Sequence, residues 1–222
     1  MSASQHAPDL RAKPVVPARF KQAGRALLSP LVRLAMALHL TPNTITVIGL
    51  GITIVAALLI ANDLLLIGAA VLVFGSILDA VDGGLARAQG TGTAFGGFLD
   101  STLDRTGEAV AYIGIGVWLL SSMSDPTWPM LALMLALAGS FLVSYAHARA
   151  QGIDLSADVG LAPRTERLIL VIVGVALAGF GFEAGLVAIL GILAVLTAIT
   201  VIQRIWHVWR LTASGALDSK EN

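Results

Sequence analysis

Six stretches of this chain are too apolar to stay in water: roughly Thr44 to Ala61, Leu64 to Leu85, Phe95 to Leu120, Trp128 to Ala148, Leu168 to Phe180, and Ala184 to Trp206. In hydrocarbon a backbone finds no water to bond, so every N–H and C=O must be satisfied internally, and stretches of this length do that as helices. The predicted fold class is therefore an all-α integral membrane protein with six transmembrane helices. Composition agrees, since 56% hydrophobic and 13% charged residues lie well outside the range of soluble domains. A formal net charge of zero gives no argument for a nucleic-acid partner. The absence of cysteine excludes disulfides, thiolate-held zinc, iron–sulfur centres and thiol catalysis.

Six spans put both termini on one side. The three connections on the opposite side are Asn62 with Asp63, Ser121 to Thr127, and Gly181 to Glu183, and none carries Lys or Arg. All 14 cations fall near the termini or the other two connections, which the positive-inside rule makes the cytoplasmic face of an inner-membrane protein. Trp118 and Trp128 at one boundary, and Trp206 and Trp209 at the other, suit interfacial belts. Residues 1–15 read as a disordered tail. Residues 16–40 read as an amphipathic juxtamembrane helix, with Phe20, Leu27, Leu31, Leu34 and Leu38 at helical spacing and a kink expected at Pro30. Residues 41–210 then form one six-helix domain, and 211–222 a cytoplasmic tail. Small-residue spacings such as Gly107 to Ala111 permit close helix packing.

Against this apolar background Asp79, Asp82, Asp100 and Asp104 stand out, because a carboxylate in a membrane span costs several kcal/mol unless it is paired, hydrated or metal-bound. Asp79 and Asp82 are three apart at the end of the second span. Asp100 and Asp104 are four apart near the start of the third. Each pair shares a helix face, and antiparallel packing brings the pairs together. Four carboxylates without His or Cys suit hard divalent cations, Mg²⁺ or Mn²⁺, and two ions about 4 Å apart would fit. The connection from Gly83 to Phe95, rich in glycine and carrying Arg87, allows backbone to approach a phosphate closely. The ligand expected is a phosphorylated compound. A cation transporter is the competing class, but its sites tend to lie at the midplane within inverted repeats, and no such repeat is visible.

The pattern D-x2-D-G-x2-A-R-x8-G-x3-D-x3-D is complete, running from Asp79, Asp82, Gly83, Ala86 and Arg87 to Gly96, Asp100 and Asp104. With it come the T-P-N-x-x-T sequence at Thr41 to Thr46 and six spans. The chain thereby resembles the CDP-alcohol phosphotransferases over most of its length. The resemblance implies a Mg²⁺-dependent enzyme in which an alcohol hydroxyl attacks the β-phosphorus of a CDP-diacylglycerol-like lipid and releases CMP. Asp79, Asp82, Asp100 and Asp104 would hold metal, and Asp104 would also act as general base. Thr41, Pro42, Asn43, Thr44, Asp82, Gly83, Arg87 and Thr93 would surround the CDP group, although Pro42, Asn43 and Thr93 also suit plain helix starts. Glu108 lies outside the pattern and is expected to pair with Arg105, three residues away.

The acceptor is read from the later spans. S-Y-A-H-A-R-A-Q at Ser144 to Gln151, R-T-E-R at Arg164 to Arg167, and Q-R at Gln203 and Arg204 resemble the phosphatidylinositol phosphate synthase subfamily. That resemblance implies inositol 1-phosphate, a small phosphorylated polyol, held by His147, Arg149, Arg164, Arg167 and Arg204, and a homodimer. His147 and Gln151 depart from the Lys and Glu expected there. Topology alone also explains arginines at these positions. Glycerol 3-phosphate, serine and a dialkyl donor stay open.

Overall fold

Helix boundaries fall where local chemistry puts them. Thr41 accepts from the Thr44 backbone N–H at 3.2 Å and Pro42 occupies the first turn, so the chain enters its first long helix with a cap already formed. Thr93 does the same for the Gly96 N–H at 2.9 Å. Gly90, at φ 64°, ends the helix before it in a left-handed conformation that a residue without Cβ adopts freely.

The computed structural model describes residues 29–90 and 92–213, apart from the side chain of Arg87. Every regular element among them is a helix: α1 (29–37), α2 (Pro42–Ala61), α3 (Leu65–Gln89), α4 (Ala94–Ser122), α5 (Thr127–Gln151), α6 (Arg164–Gly179) and α7 (Glu183–Ala213). Each of the six apolar stretches forms a helix. Of these, α2, α3, α5 and α7 are long and apolar enough to cross a membrane. α6 has 16 residues, and α4 carries Asp100, Asp104, Arg105 and Glu108 in its first half. α7 continues to Ala213, three residues into the stretch assigned to the tail. The tail expected at 1–15 and the first part of the juxtamembrane helix lie outside the described residues.

Two three-helix groups make up the bundle. α2 packs on α3 and α4, α7 packs on α5 and α6, and the contacts α3 with α6 and α4 with α5 join the groups. Within the first group the backbone of α4 at Gly114 lies so close to Ala57 of α2 that a Cβ there would sit 2.5 Å from the Ala57 carbonyl oxygen. Between the groups lies a core that includes Ile115, Trp118, Leu119, Val175, Leu186, Leu190 and Leu193. The α2–α3 turn meets the end of α4 through Trp118 Nε1, which donates to Asp63 Oδ1 at 2.7 Å. The opposite end of the bundle carries the aspartates.

α1 differs from its sequence reading in which face touches protein. Leu31, Leu34 and Leu38, the stripe picked out by periodicity, are exposed. Val32 and Ala35 instead pack with Ile45, Val81 and Leu85 of α2 and α3. A helix between lipid and protein has two apolar faces, and periodicity alone does not say which is which.

Candidate active site at the charged end

Asp79 and Asp82 come from the last turns of α3, and Asp100 and Asp104 from the first turns of α4. Antiparallel packing of α3 on α4 is not what joins the two pairs: both helices pack on α2, which brings their charged ends near one another. All four carboxylates are near enough to interact electrostatically. Asp82 is the most enclosed, 5% exposed, and Thr46 Oγ1 donates to its Oδ2 at 2.7 Å. Asp79 rests against α2 at Gly49, where an added Cβ would stand 3.1 Å from Oδ1. Bulkier residues at position 49 would push it away.

A guanidinium from the other helix group completes the cluster. Arg164, the first residue of α6, donates from Nη2 to Asp79 Oδ2 at 2.9 Å and reaches Asp104 Oδ2 from Nη1 at 2.8 Å. One cation thus clamps one carboxylate from each helix while its side chain keeps 38% of its surface exposed. Beneath it a small cavity of about 40 Å³, lined by Asp79, Asp104, Glu108, Tyr112 and Arg164, extends into the bundle.

Beside this cluster opens a wider cleft of about 370 Å³. Thr41, Pro42 and Asn43 line it from α2, Asp82 and Gly83 from α3, and Thr93, Gly96 and Asp100 from α4. These include most of the positions expected around the donor. Thr44, whose N–H is held by Thr41, lies outside the lining, and the Arg87 side chain lies outside the description. Thr46 also lines both cavities. Sequence reasoning left Thr46 out of the site, although it closes the T-P-N-x-x-T sequence and sits one turn after Pro42 on the same face.

The remaining cations assigned to the acceptor are placed differently from Arg164. Arg167, 1% exposed, makes a bidentate pair with Glu108, Nε to Oε1 at 2.9 Å and Nη2 to Oε2 at 3.0 Å, and its Nη1 donates to the Ala162 carbonyl at 2.9 Å. This corrects the pairing of Glu108 with Arg105. Arg105 turns back onto the Ser101 carbonyl, while a buried guanidinium fork one turn below Arg164 satisfies both Glu108 oxygens. Arg204 donates from Nε to the Val159 carbonyl at 3.0 Å and from Nη1 to the Val143 carbonyl. His147 faces Asp158 across 3.4 Å, and Arg149 is exposed in the last turn of α5.

Residues 39–206 match the family model of the CDP-alcohol phosphatidyltransferases. The chain belongs to that family. Its similarity extends to the phosphatidylinositol phosphate synthase of Corynebacterium glutamicum, 36% identical over 162 residues, which are 72% of this chain and 74% of that protein. The phosphatidylinositol phosphate synthase of Mycolicibacterium smegmatis is 35% identical over 157 residues, 70% of each chain. Among solved structures, Mycobacterium tuberculosis phosphatidylinositol phosphate synthase with CDP-DAG bound superposes with a TM-score of 0.77 at 34% identity, covering 83% of this chain and 94% of that one. The same enzyme in complex with manganese and citrate gives 0.76 at 34% identity, over 82% and 88% of the two chains.

The donor set fits a divalent cation by its chemistry: carboxylate oxygens from two facing helix ends, with no nitrogen or sulfur among them. As the side chains stand, no three of the described Asp, Glu or His groups close around a single point. Arg164 supplies positive charge to two of the four.

Proposed function

We propose that the protein transfers the phosphatidyl group of CDP-diacylglycerol to inositol 1-phosphate, giving phosphatidylinositol phosphate and CMP. The observation that carries this reading is the meeting of Arg164 with Asp79 and Asp104 over the small cavity, while Asp82 and Asp100 of the same cluster line the wider cleft. A donor pyrophosphate in the cleft and an acceptor phosphate on Arg164 then share the aspartate cluster. Asp79, Asp82, Asp100 and Asp104 would hold one or two Mg²⁺ or Mn²⁺ ions, which neutralise the pyrophosphate charge when bound.

Thr41 and Thr93 place two helix N-termini at the cleft, whose partial positive charge suits a phosphate. Thr46 holds Asp82 in one orientation. Asp104 takes the proton of the acceptor hydroxyl as that oxygen bonds to the β-phosphorus, and the bond from that phosphorus to the CMP oxygen breaks. Arg164 binds the acceptor's phosphate through the planar fork that suits such groups. Its exposure leaves it open to a water-soluble ligand, whereas Arg167 and Arg204 act from behind it. His147 and Arg149 stand at the rim of the same face. The reading also takes the charged end as cytoplasmic, on the distribution of arginines, and the enzyme as an inner-membrane homodimer, on family resemblance.

The test is CMP release by the purified full-length protein in detergent with CDP-diacylglycerol and Mg²⁺. Inositol 1-phosphate should stimulate it, while inositol, glycerol 3-phosphate and serine should not. Stimulation by glycerol 3-phosphate instead would keep the family chemistry and remove the acceptor assignment.

A further inference from the structure

The connection from α5 to α6, residues 152–163, stops one residue before Arg164. It is fastened to α7 by a hydroxyl with all its bonding capacity in use. Thr200, fully buried, accepts from the Leu161 N–H at 3.2 Å and the Ala162 N–H at 3.1 Å, and donates to the Leu196 carbonyl at 2.8 Å. A hydroxyl offers one donor and two acceptor positions, so nothing is left over. The next peptide is fastened too, because the Ala162 carbonyl accepts from Arg167. Arg204 holds Val159 three residues earlier. Pro163 then restricts the backbone before Arg164 opens the helix.

Gly160 makes this seat possible. Its φ of +128° is a conformation that side chains rarely allow, and a Cβ there would stand 2.2 Å from Thr200 Cγ2. The loop lies on Thr200 with no room for a methyl group between them.

We propose that Thr200, with Gly160 seated against it, is a positioning residue for the transfer reaction: it fixes the start of α6 so that Arg164 stands between Asp79 and Asp104. The proposal rests on the reading of Arg164 as the group that captures the acceptor's phosphate. Two residues of chain separate the Thr200-bonded amide of Ala162 from Arg164. A shift of the loop therefore carries the guanidinium with it, away from carboxylates it meets at 2.9 and 2.8 Å. Misplacement by about 1 Å in such a site costs on the order of a hundredfold in rate.

Thr200→Val keeps the volume and removes the acceptor, Thr200→Ser restores it, and Gly160→Ala displaces the loop without removing any hydrogen-bonding group. Each is assayed for CMP release with CDP-diacylglycerol, inositol 1-phosphate and Mg²⁺, alongside its thermal midpoint in detergent. Thr200→Val and Gly160→Ala should raise the KM for inositol 1-phosphate about tenfold or more, leave the KM for CDP-diacylglycerol within about twofold, and Thr200→Ser should restore most of the loss. Equal rises in both KM values, unchanged kinetics in folded Gly160→Ala, or failure of both disruptive variants to fold would each overturn the positioning role. If the wild-type protein uses a different acceptor, the functional reading falls by itself. Discrimination between donor and acceptor KM, measured with that other acceptor, then decides the latch separately.

Discussion

The two helix groups of this protein handle charge in opposite ways. In α2–α4 the aspartates Asp79, Asp82, Asp100 and Asp104 border cavities, and hydroxyls and small residues lie around them. In α5–α7 the cations Arg167 and Arg204 are turned inward, with their donors engaged by Glu108 and by backbone carbonyls. The first group lines the cleft in which the donor is proposed to sit. The second buries Arg167 against Glu108 of α4 and Arg204 against its own backbone carbonyls, and it brings Arg164 to the aspartates of the first. A run of arginines at a membrane edge is thus not automatically a binding pocket, since buried bidentate pairing uses the same residue type for architecture.

The division predicts a graded series of effects. Asp104→Asn should lower CMP release by about a thousandfold or more, with CDP-diacylglycerol binding and the thermal midpoint little changed, because a general base is lost but its shape is kept. Activity near wild type would break the assignment of chemistry to the first group. Arg167→Met should act on the other axis, destabilising the protein by about 3–5 kcal/mol because Glu108 is left as a buried, uncompensated charge. The thermal midpoint in detergent reads that loss, and a well-folded variant defective only in acceptor KM would move Arg167 into the ligand site. For Arg164→Ala, folding should survive while the acceptor KM rises by about ten- to a hundredfold over a nearly constant donor KM. Parallel changes in both would show that its pairing with Asp79 and Asp104 matters more than any phosphate. The smallest effect is expected from Thr93→Val, which removes the α4 cap at a cost of about 1 kcal/mol and should raise the donor KM severalfold, measurable by titrating CDP-diacylglycerol.

Residues whose partners are local are legible in the sequence. The spacing of Asp79 with Asp82 and of Asp100 with Asp104 puts each pair on one helix face, and the turn between the helices is too short for them to be anything but neighbours. Thr41 and Thr93 precede helices for reasons contained within three residues. Glu108 shows where this stops. Its nearest cation in sequence is Arg105, and its partner in the fold is Arg167, 59 positions on. Exposed helix pairs are worth about 0.2–0.5 kcal/mol, so a buried bidentate partner overrides them whenever packing supplies one. α1 makes the same point with apolar residues, since Leu31, Leu34 and Leu38 obey the helical period yet face away from the bundle.

By itself, the sequence determined that this chain crosses a membrane as helices, that four aspartates share one end of two of them, and that the family's complete signature is present. Backbone hydrogen bonding in lipid and the 3.6-residue period act over one or two turns, so they are written in consecutive residues. Tertiary structure alone decided which arginine meets the aspartates, which one is buried against Glu108, and that Thr200 of the last helix holds the loop before Arg164. Those outcomes depend on how α6 and α7 dock on α3 and α5, and several arginines compete for few carboxylates until packing brings a particular pair within hydrogen-bonding distance.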